Sequence, residues 1–135
     1  MKDKAFIDTN VLIYLYSEDE TEKRQVAENL VDNSPPIISI QVLNEISNVM
    51  VKKLKLAPKA ISRVIEELSR HCMVREITVD TIQSALKIAE KYRYSYYDSL
   101  IVASALEDQC KILYSEDMQS GQYIEDQLRI TNPFL

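Results

Sequence analysis

The feature that most constrains this chain is an alternation of short apolar segments of strand length with longer segments whose apolar residues recur at helical spacing. Strands are predicted over residues 4–7, 37–40, 73–77, 112–114 and 128–130. Helices are predicted over residues 10–16, 18–32, 41–55, 58–68, 80–92 and 98–109, the third and fourth forming a hairpin. Buried strands separated by amphipathic helices predict an α/β fold, in which helices cover both faces of a short, mainly parallel central sheet in three layers.

The size and composition of the chain fit one folded domain over residues 1–135. Its residues are 46% apolar and 27% charged, with one glycine and four prolines, which is typical of a packed globular protein. No apolar run approaches the roughly 20 residues that span a bilayer, and the N-terminal residues lack the pattern of a signal peptide. We therefore expect a cytoplasmic protein without a membrane partner.

Four acidic residues are predicted to converge at one edge of the sheet. Asp8 and Asp117 follow predicted strands, and open parallel sheets bind their ligands beyond the carboxyl ends of the strands. The helix that begins at Asp98 runs antiparallel to the strand after it, which places Asp98 at the same edge. Glu45 lies early in the helix that leaves the second strand. These four carboxylates are the candidate catalytic and metal-binding groups.

Three of these acids also have a purely structural interpretation. Asp8 could cap a helix, and Asp98 could complete a capping box. Asp117 could be an ordinary turn residue. Glu45 lacks such an alternative, because it lies on a largely apolar helix face with no basic residue four positions later.

A cluster of carboxylates fits a hard divalent cation. Crowded, half-buried carboxylates raise one another's pKa unless a cation compensates their charge. Mg²⁺ prefers oxygen ligands in octahedral geometry. Zinc has no suitable ligand set, because His71 is the only histidine and Cys72 and Cys110 are widely separated. Mg²⁺ is therefore the predicted cofactor.

A basic segment, residues 52–75, stands out in a chain whose net charge is -5. It contains Lys52, Lys53, Lys55, Lys59, Arg63, Arg70 and Arg75. The charges alone fit either a solvated helix surface or a guide for nucleic-acid phosphates. The second interpretation gains weight only beside a catalytic site.

Four short motifs occur in order along the chain. They are Phe-Ile-Asp-Thr-Asn-Val-Leu at 6–12, Asn-Glu at 44–45, Tyr-Asp-Ser-Leu-Ile-Val-Ala-Ser-Ala at 97–105 and Leu-Tyr-Ser-Glu-Asp-Met at 113–118. Each motif alone is weak, but the four in this order and at these spacings are specific. Over the whole length of the chain they resemble the PIN-domain nucleases, and more narrowly the VapC-type toxins of bacterial toxin–antitoxin pairs.

The resemblance implies a PIN-like three-layer domain that acts as a metal-dependent endoribonuclease. The four acids would hold one or two Mg²⁺ or Mn²⁺ ions, supported by Thr9, Asn10 and Ser115. The resemblance also implies an RNA substrate, a cognate antitoxin that covers the active site, and a homodimer whose basic surfaces guide RNA. The candidate RNA-guiding residues are Lys52, Lys53, Lys55 and Arg63. Ser120 departs from the pattern, since some relatives have another acid or a histidine just before the glycine.

Other functions are compatible with parts of this pattern. A catalytically silent PIN-fold protein could bind RNA or act as a regulatory module, and a related nuclease could cleave DNA. A receiver-like signalling domain is disfavoured, because it needs an acid pair after the first strand and a lysine after a late one. Tyr92, Tyr94, Tyr96 and Tyr97 could stack on unpaired bases, or could pack against the sheet edge or a dimer partner.

Overall fold

The computed structural model describes residues 3–135, which form six strands and six α-helices. The strands are β1 (Ala5–Ile7), β2 (Ile37–Ser39), β3 (Met73–Arg75), β4 (Ile112–Tyr114), β5 (Tyr123–Ile124) and β6 (Leu128–Thr131). The helices are α1 (Thr9–Leu12), α2 (Thr21–Asn33), α3 (Ile40–Lys52), α4 (Pro58–His71), α5 (Val79–Tyr92) and α6 (Tyr96–Glu107). A 3₁₀ helix over Ile13–Tyr16 continues α1.

The strand order is β3-β2-β1-β4-β6-β5, and every pairing is parallel except that of β5 with β6. The chain begins in the middle of the sheet with β1, adds β2 and β3 on one side, and then places β4 on the other side of β1. The carboxyl ends of β1 and β4 therefore mark the switch point, where open α/β sheets bind their ligands. Ile7 pairs with Tyr114, so the residues that follow these two strands start at the same level.

Both faces of the sheet are buried. Phe6 and Ile7 are neighbours in β1 and point to opposite faces, yet each is at most 1% exposed. Residues 99–105 of α6 are all buried, because this helix lies between β2 and α5. The predicted α/β fold, with a mainly parallel sheet between helical layers, is confirmed.

Most predicted helices and strands are present, with three corrections. The helix predicted over 10–16 is α1 followed by a 3₁₀ turn, since apolar spacing does not distinguish the two helix types over so short a segment. The strand predicted over 73–77 ends at Arg75, because the chain then turns toward Thr78, whose side chain caps α5 by accepting a hydrogen bond from Thr81 N. The short antiparallel β5 was not predicted. None of the helices in residues 3–135 has the length and hydropathy needed to cross a bilayer.

Candidate active site

All four candidate acids line one cavity of about 630 Å³ at the switch point of the sheet. Asp8 follows β1 directly, and its backbone N–H donates to the carbonyl oxygen of Tyr114 at 2.9 Å, which joins the end of β1 to the end of β4. Glu45 enters from α3, Asp98 from α6 and Asp117 from the loop after β4. The convergence predicted from the order of strands and helices is therefore observed.

Asp8 is the most deeply placed of the four acids, with only 4% of its surface exposed. Its Oδ1 accepts a hydrogen bond from Thr9 N at 2.7 Å, and its Oδ2 accepts one from Ser115 Oγ at 2.9 Å. The pKa of Asp8 is raised to about 7, chiefly by burial; the two hydrogen bonds lower this pKa, and the negative charges of Asp98 and Glu45 raise it. Asp8 thus caps α1 and also presents a carboxylate that is costly to ionise.

Glu45 lies in the second turn of α3, a helix that begins at β2 and is capped by Ser39, whose Oγ accepts from Val42 N at 3.4 Å. The side chain is half-buried, and its Oε2 has no hydrogen-bond partner among the described residues. Burial raises the pKa of Glu45 and the charge of Asp98 raises it further, whereas the side chains of Gln41 and Thr9 lower it. A buried carboxylate oxygen without a partner is costly unless a ligand satisfies it.

Asp98 occupies the first turn of α6, where Ser95 Oγ accepts a hydrogen bond from Asp98 N at 3.2 Å. The backbone of Asp98 thus belongs to the cap, while its carboxylate remains available to the cavity. Burial raises the pKa of Asp98, and the charge of Asp117 raises it further. Asp117 is itself exposed at the cavity rim.

A hydrogen-bond network holds the loop that carries Asp117. Asn10 Oδ1 accepts from Glu116 N at 3.0 Å, and Asn10 Nδ2 donates to Asp8 Oδ2 at 3.3 Å. The Glu116 carboxylate receives a hydrogen bond from the Tyr14 hydroxyl at 2.6 Å and forms an ion pair with Lys23. Asn10 therefore links the loops after β1 and β4, and Glu116 fixes the second loop from its other side.

The donor set fits a divalent cation. Thr9 Oγ1 and Glu45 Oε2 are both buried, and neither makes a well-formed hydrogen bond in residues 3–135, as expected where a further ligand binds, although the Thr9 side chain is near enough to lower the pKa of Glu45. No three acidic, histidine or cysteine side chains of the described residues stand close enough to enclose one ion together. Mg²⁺ does not require such a cage, since it is commonly held by one or two carboxylates, with water or phosphate oxygens in its other positions.

Several residues around the cavity were not identified as site residues from the sequence. Gln41, Asn44 and Asn48 line it from α3 beside Glu45. Their spacing of three to four residues places them on one helix face, so the period of α3 contained this information. Ser120, the departure from the motif, instead accepts a hydrogen bond from Asn132 N at 3.0 Å.

The candidate RNA-guiding residues lie at different distances from the acids. Lys53, directly after α3, lines the cavity itself. Lys52 and Lys55 are exposed at the same end of α3, and Arg63 is exposed on α4. The basic segment therefore begins at the active-site cavity and extends away from it.

The fold and this arrangement of acids define the class of protein. Residues 5–120 match the sequence model of the PIN domain, so the chain belongs to the PIN domain family. No curated protein matches the chain in a sequence comparison.

Solved structures of toxins share the fold. A toxin–antitoxin complex from Klebsiella pneumoniae aligns with a TM-score of 0.72 and 21% identity, covering 96% of this chain and 98% of that one. VapC20 of Mycobacterium tuberculosis, described as a sarcin-ricin loop cleaving toxin, aligns with a TM-score of 0.68 and 21% identity, covering 84% and 90%. DNA-bound VapBC from Salmonella typhimurium gives a TM-score of 0.68 and 21% identity, covering 98% and 99%. At such identities these likenesses show the fold.

Proposed function

We propose that this protein is a Mg²⁺-dependent endoribonuclease, with Mn²⁺ as an alternative ion, and that it is the toxin of a toxin–antitoxin pair. The observation that carries the proposal is the convergence of Asp8, Glu45, Asp98 and Asp117 in one cavity at the switch point of the sheet. Such a set of carboxylates suits metal-assisted hydrolysis of a phosphodiester. Membership in the PIN domain family supports the same class of reaction.

The charge of the cavity explains why an ion is needed. Four carboxylates line it, whereas Lys53 is the one basic residue of the lining within the part of the chain that the structure describes. This excess of negative charge repels an RNA phosphate. A divalent ion bound by carboxylates of this set would supply a nucleophilic water at neutral pH and would neutralise charge on the phosphoryl oxygens.

The residues around the acids fix their positions. Ser115 and the backbone of Thr9 hold the two oxygens of Asp8, which leaves the carboxylate one orientation relative to the cavity. Asn10 keeps the loop of Asp117 against that of Asp8. A site prearranged in this way does not have to reorganise as charge develops during the reaction.

Partners follow from the class of protein to which the chain is similar. Two structural relatives are described as a toxin–antitoxin complex and as DNA-bound VapBC, and by analogy we assign a cognate antitoxin to this chain. We also propose a homodimer, in which the basic segments of two copies border a shared path for RNA.

Reversal of charge at Lys53 is expected to weaken RNA cleavage more than reversal at Arg63. Lys53 lines the cavity with the acids, whereas Arg63 is exposed on α4 outside that lining. Lys53→Glu should raise KM about tenfold at low salt, and Arg63→Glu about two- to threefold, because charge effects weaken with distance and screening. Steady-state cleavage of a labelled RNA at two salt concentrations measures both, and equal effects of the two variants would contradict this role of Lys53.

Metal dependence is the direct test of the proposed function. Purified wild-type protein and Asp98→Asn are incubated with total RNA and with single-stranded DNA, in Mg²⁺, in Mn²⁺ and in EDTA. We expect wild-type protein to cut RNA with either ion, and expect EDTA to stop it. Asp98→Asn should lower the rate at least about a hundredfold, since even indirect ligand partners contribute 10- to 100-fold.

The same experiment separates the alternatives. If wild-type protein cuts DNA but not RNA, its substrate is DNA and the proposed RNA substrate is wrong. Binding of RNA without cleavage in either ion would favour a catalytically silent PIN-fold module.

A further inference from the structure

The four tyrosines around the junction of α5 and α6 form two pairs with different environments. The rings of Tyr92 and Tyr94 lie nearly parallel, with centroids 6.3 Å apart and an interplanar angle of 17°. The Tyr92 hydroxyl donates to Glu125 Oε2 at 2.9 Å, and the Tyr94 hydroxyl donates to the side-chain oxygen of Gln122. This pair therefore ties the end of α5 to the segment around β5, and its role is structural.

Tyr97 has a different position. It directly precedes Asp98 in α6 and lines the cavity that contains the four acids. Its side chain is 58% exposed, and its ring lies beside that of Tyr96 in a tilted arrangement, with 5.5 Å between centroids and 56° between planes. An exposed aromatic face thus stands within one residue of an acid of the candidate active site.

The α3 residues that line the cavity offer hydrogen-bonding groups. Asn44 and Asn48 are one helical turn apart on α3, and both line the cavity. A side-chain amide carries a donor and an acceptor, which match the paired donors and acceptors along the edge of a nucleobase. An aromatic ring and side-chain amides that line the same cavity are the two elements of a base-binding pocket.

We propose that Tyr97, Asn44 and Asn48 form a pocket for one unpaired nucleobase next to the phosphate that is cleaved. Tyr97 stacks on the face of the base, and one or both asparagines hydrogen-bond to its edge. This proposal rests on the proposed ribonuclease function and adds a requirement to it: the base beside the scissile phosphate must be out of a duplex. A base inside an A-form helix is stacked on both sides and cannot offer its face to a tyrosine.

A nucleobase fits this position better than a side chain of a protein partner. The phosphate to which the base is joined would lie at Asp8 and Asp98, and Tyr97 is the chain neighbour of Asp98. A base attached to that phosphate therefore enters the same cavity. Stacking on an aromatic side chain accepts every base, whereas the amides can distinguish between them.

The chain contains no tryptophan, so the substitution Tyr97→Trp introduces a single fluorescent reporter at the site. The variant is made in the Asp8→Asn background, which keeps RNA intact, and is titrated in Mg²⁺ with a short single-stranded RNA. The same strand in a blunt duplex, and versions with one base removed at each position in turn, are titrated alongside. Tyr123→Trp is the matched control, because Tyr123 is also 58% exposed but lies on β5 outside the cavity lining.

We expect single-stranded RNA to quench the fluorescence of the Tyr97→Trp variant but not that of the Tyr123→Trp control. The duplex should quench little, and removal of one particular base should abolish the quenching while leaving the backbone charge unchanged. Without the reporter, Tyr97→Ala in the Asp8→Asn background should weaken binding of the labelled single strand roughly ten- to a hundredfold, and Tyr97→Phe should preserve it. Asn48→Ala should change the preference among bases more than the overall affinity.

Three results would overturn the base pocket. The first concerns RNA binding, which is measured by anisotropy of the labelled strand. The pocket fails if RNA binds the Tyr97→Trp variant without quenching its fluorescence, or if Tyr97→Ala binds RNA as tightly as the protein that retains Tyr97. The second is equal quenching by the duplex or by every strand with a missing base. The third is a change in the fluorescence of the Tyr97→Trp variant when the protein concentration is varied, with no change when RNA is added. This result would place Tyr97 in an interface between copies. If wild-type protein cuts RNA in Mg²⁺ and any of these occurs, the pocket fails while the proposed nuclease stands.

Discussion

Replacing Asp8 with asparagine is expected to lower the rate of RNA cleavage at least about a hundredfold while leaving the fold intact. Asp8 is the most buried of the four acids that line the cavity, and both of its oxygens are already oriented by Thr9 N and Ser115 Oγ. Asparagine has nearly the same shape but carries no charge, so it removes the attraction for a cation and keeps most of the packing, although its amide nitrogen gives up one of the accepted hydrogen bonds. Single-turnover cleavage of a labelled RNA in saturating Mg²⁺ measures the effect.

The same substitution should leave the metal-free protein as stable as wild type, or make it more stable, at pH 8. The wild-type carboxylate is buried and has a pKa raised to about 7, so its ionised form opposes folding at that pH. Urea unfolding in EDTA compares the two proteins. Asp19→Asn is the control, because it removes an exposed carboxylate before α2 and should change neither cleavage nor stability. A fully active Asp8→Asn variant would show that Asp8 is not a catalytic residue.

The positions of the acids followed from the sequence because each is tied to the start or end of a helix or strand. Asp8 follows an apolar strand, and Asp98 lies in the first turn of an apolar helix, so their places at the sheet edge depend only on the parallel topology. That topology was itself predictable, because short apolar segments of strand length are separated along the chain by longer segments with helical spacing of apolar residues. A shift of one or two residues at the end of a helix or strand does not move such a residue to another part of the molecule.

The β5–β6 hairpin escaped prediction because its turn lacks the usual sequence signal. Glu125 and Asp126 both have positive φ angles, 52° and 53°, and Gln127 N donates to the carbonyl oxygen of Ile124. Turns of this kind normally carry Asn-Gly or Asp-Gly, because glycine adopts positive φ without steric cost. Here Glu125 pairs with Lys91 and Tyr92 of α5, so tertiary contacts support a turn that local sequence does not favour.

The network around Glu116 was also beyond the reach of sequence reasoning. Glu116 meets Tyr14 and Lys23, which are 102 and 93 residues away along the chain. Nothing in the local pattern of a glutamate after a strand distinguishes this ion pair from a solvated side chain. The side-chain amides of α3, in contrast, could have been found from the sequence, because their spacing places them on one helix face.

Metal-free protein is expected to lose stability as pH rises from about 4 to about 7, and to regain it when Mg²⁺ or Mn²⁺ is added near pH 7.5. In the unfolded chain Asp8 loses its proton near its ordinary pKa of 3.8, whereas the folded protein retains that proton up to about pH 7. Between these values the folded state binds more protons than the unfolded state, so stability falls with pH and then levels off. A shift of this size corresponds to about 4 kcal/mol at most for Asp8, and the raised pKa values of Glu45 and Asp98 act in the same direction.

A bound cation reverses this cost, because it stabilises the ionised carboxylates of the folded state alone. Urea unfolding at half-unit steps from pH 4 to pH 8, in EDTA and in Mg²⁺, gives the two profiles. Many carboxylates titrate over this range, so the informative quantity is the difference in unfolding free energy between wild type and Asp8→Asn. The variant should lack most of the loss of stability that wild type shows as pH rises. At pH 4.5 protons compete with the ion, and Mg²⁺ should have little effect. Two results would contradict this role of Asp8. One is a stability of wild type that rises with pH relative to that of Asp8→Asn. The other is a stabilisation by Mg²⁺ that is equal at pH 4.5 and pH 7.5.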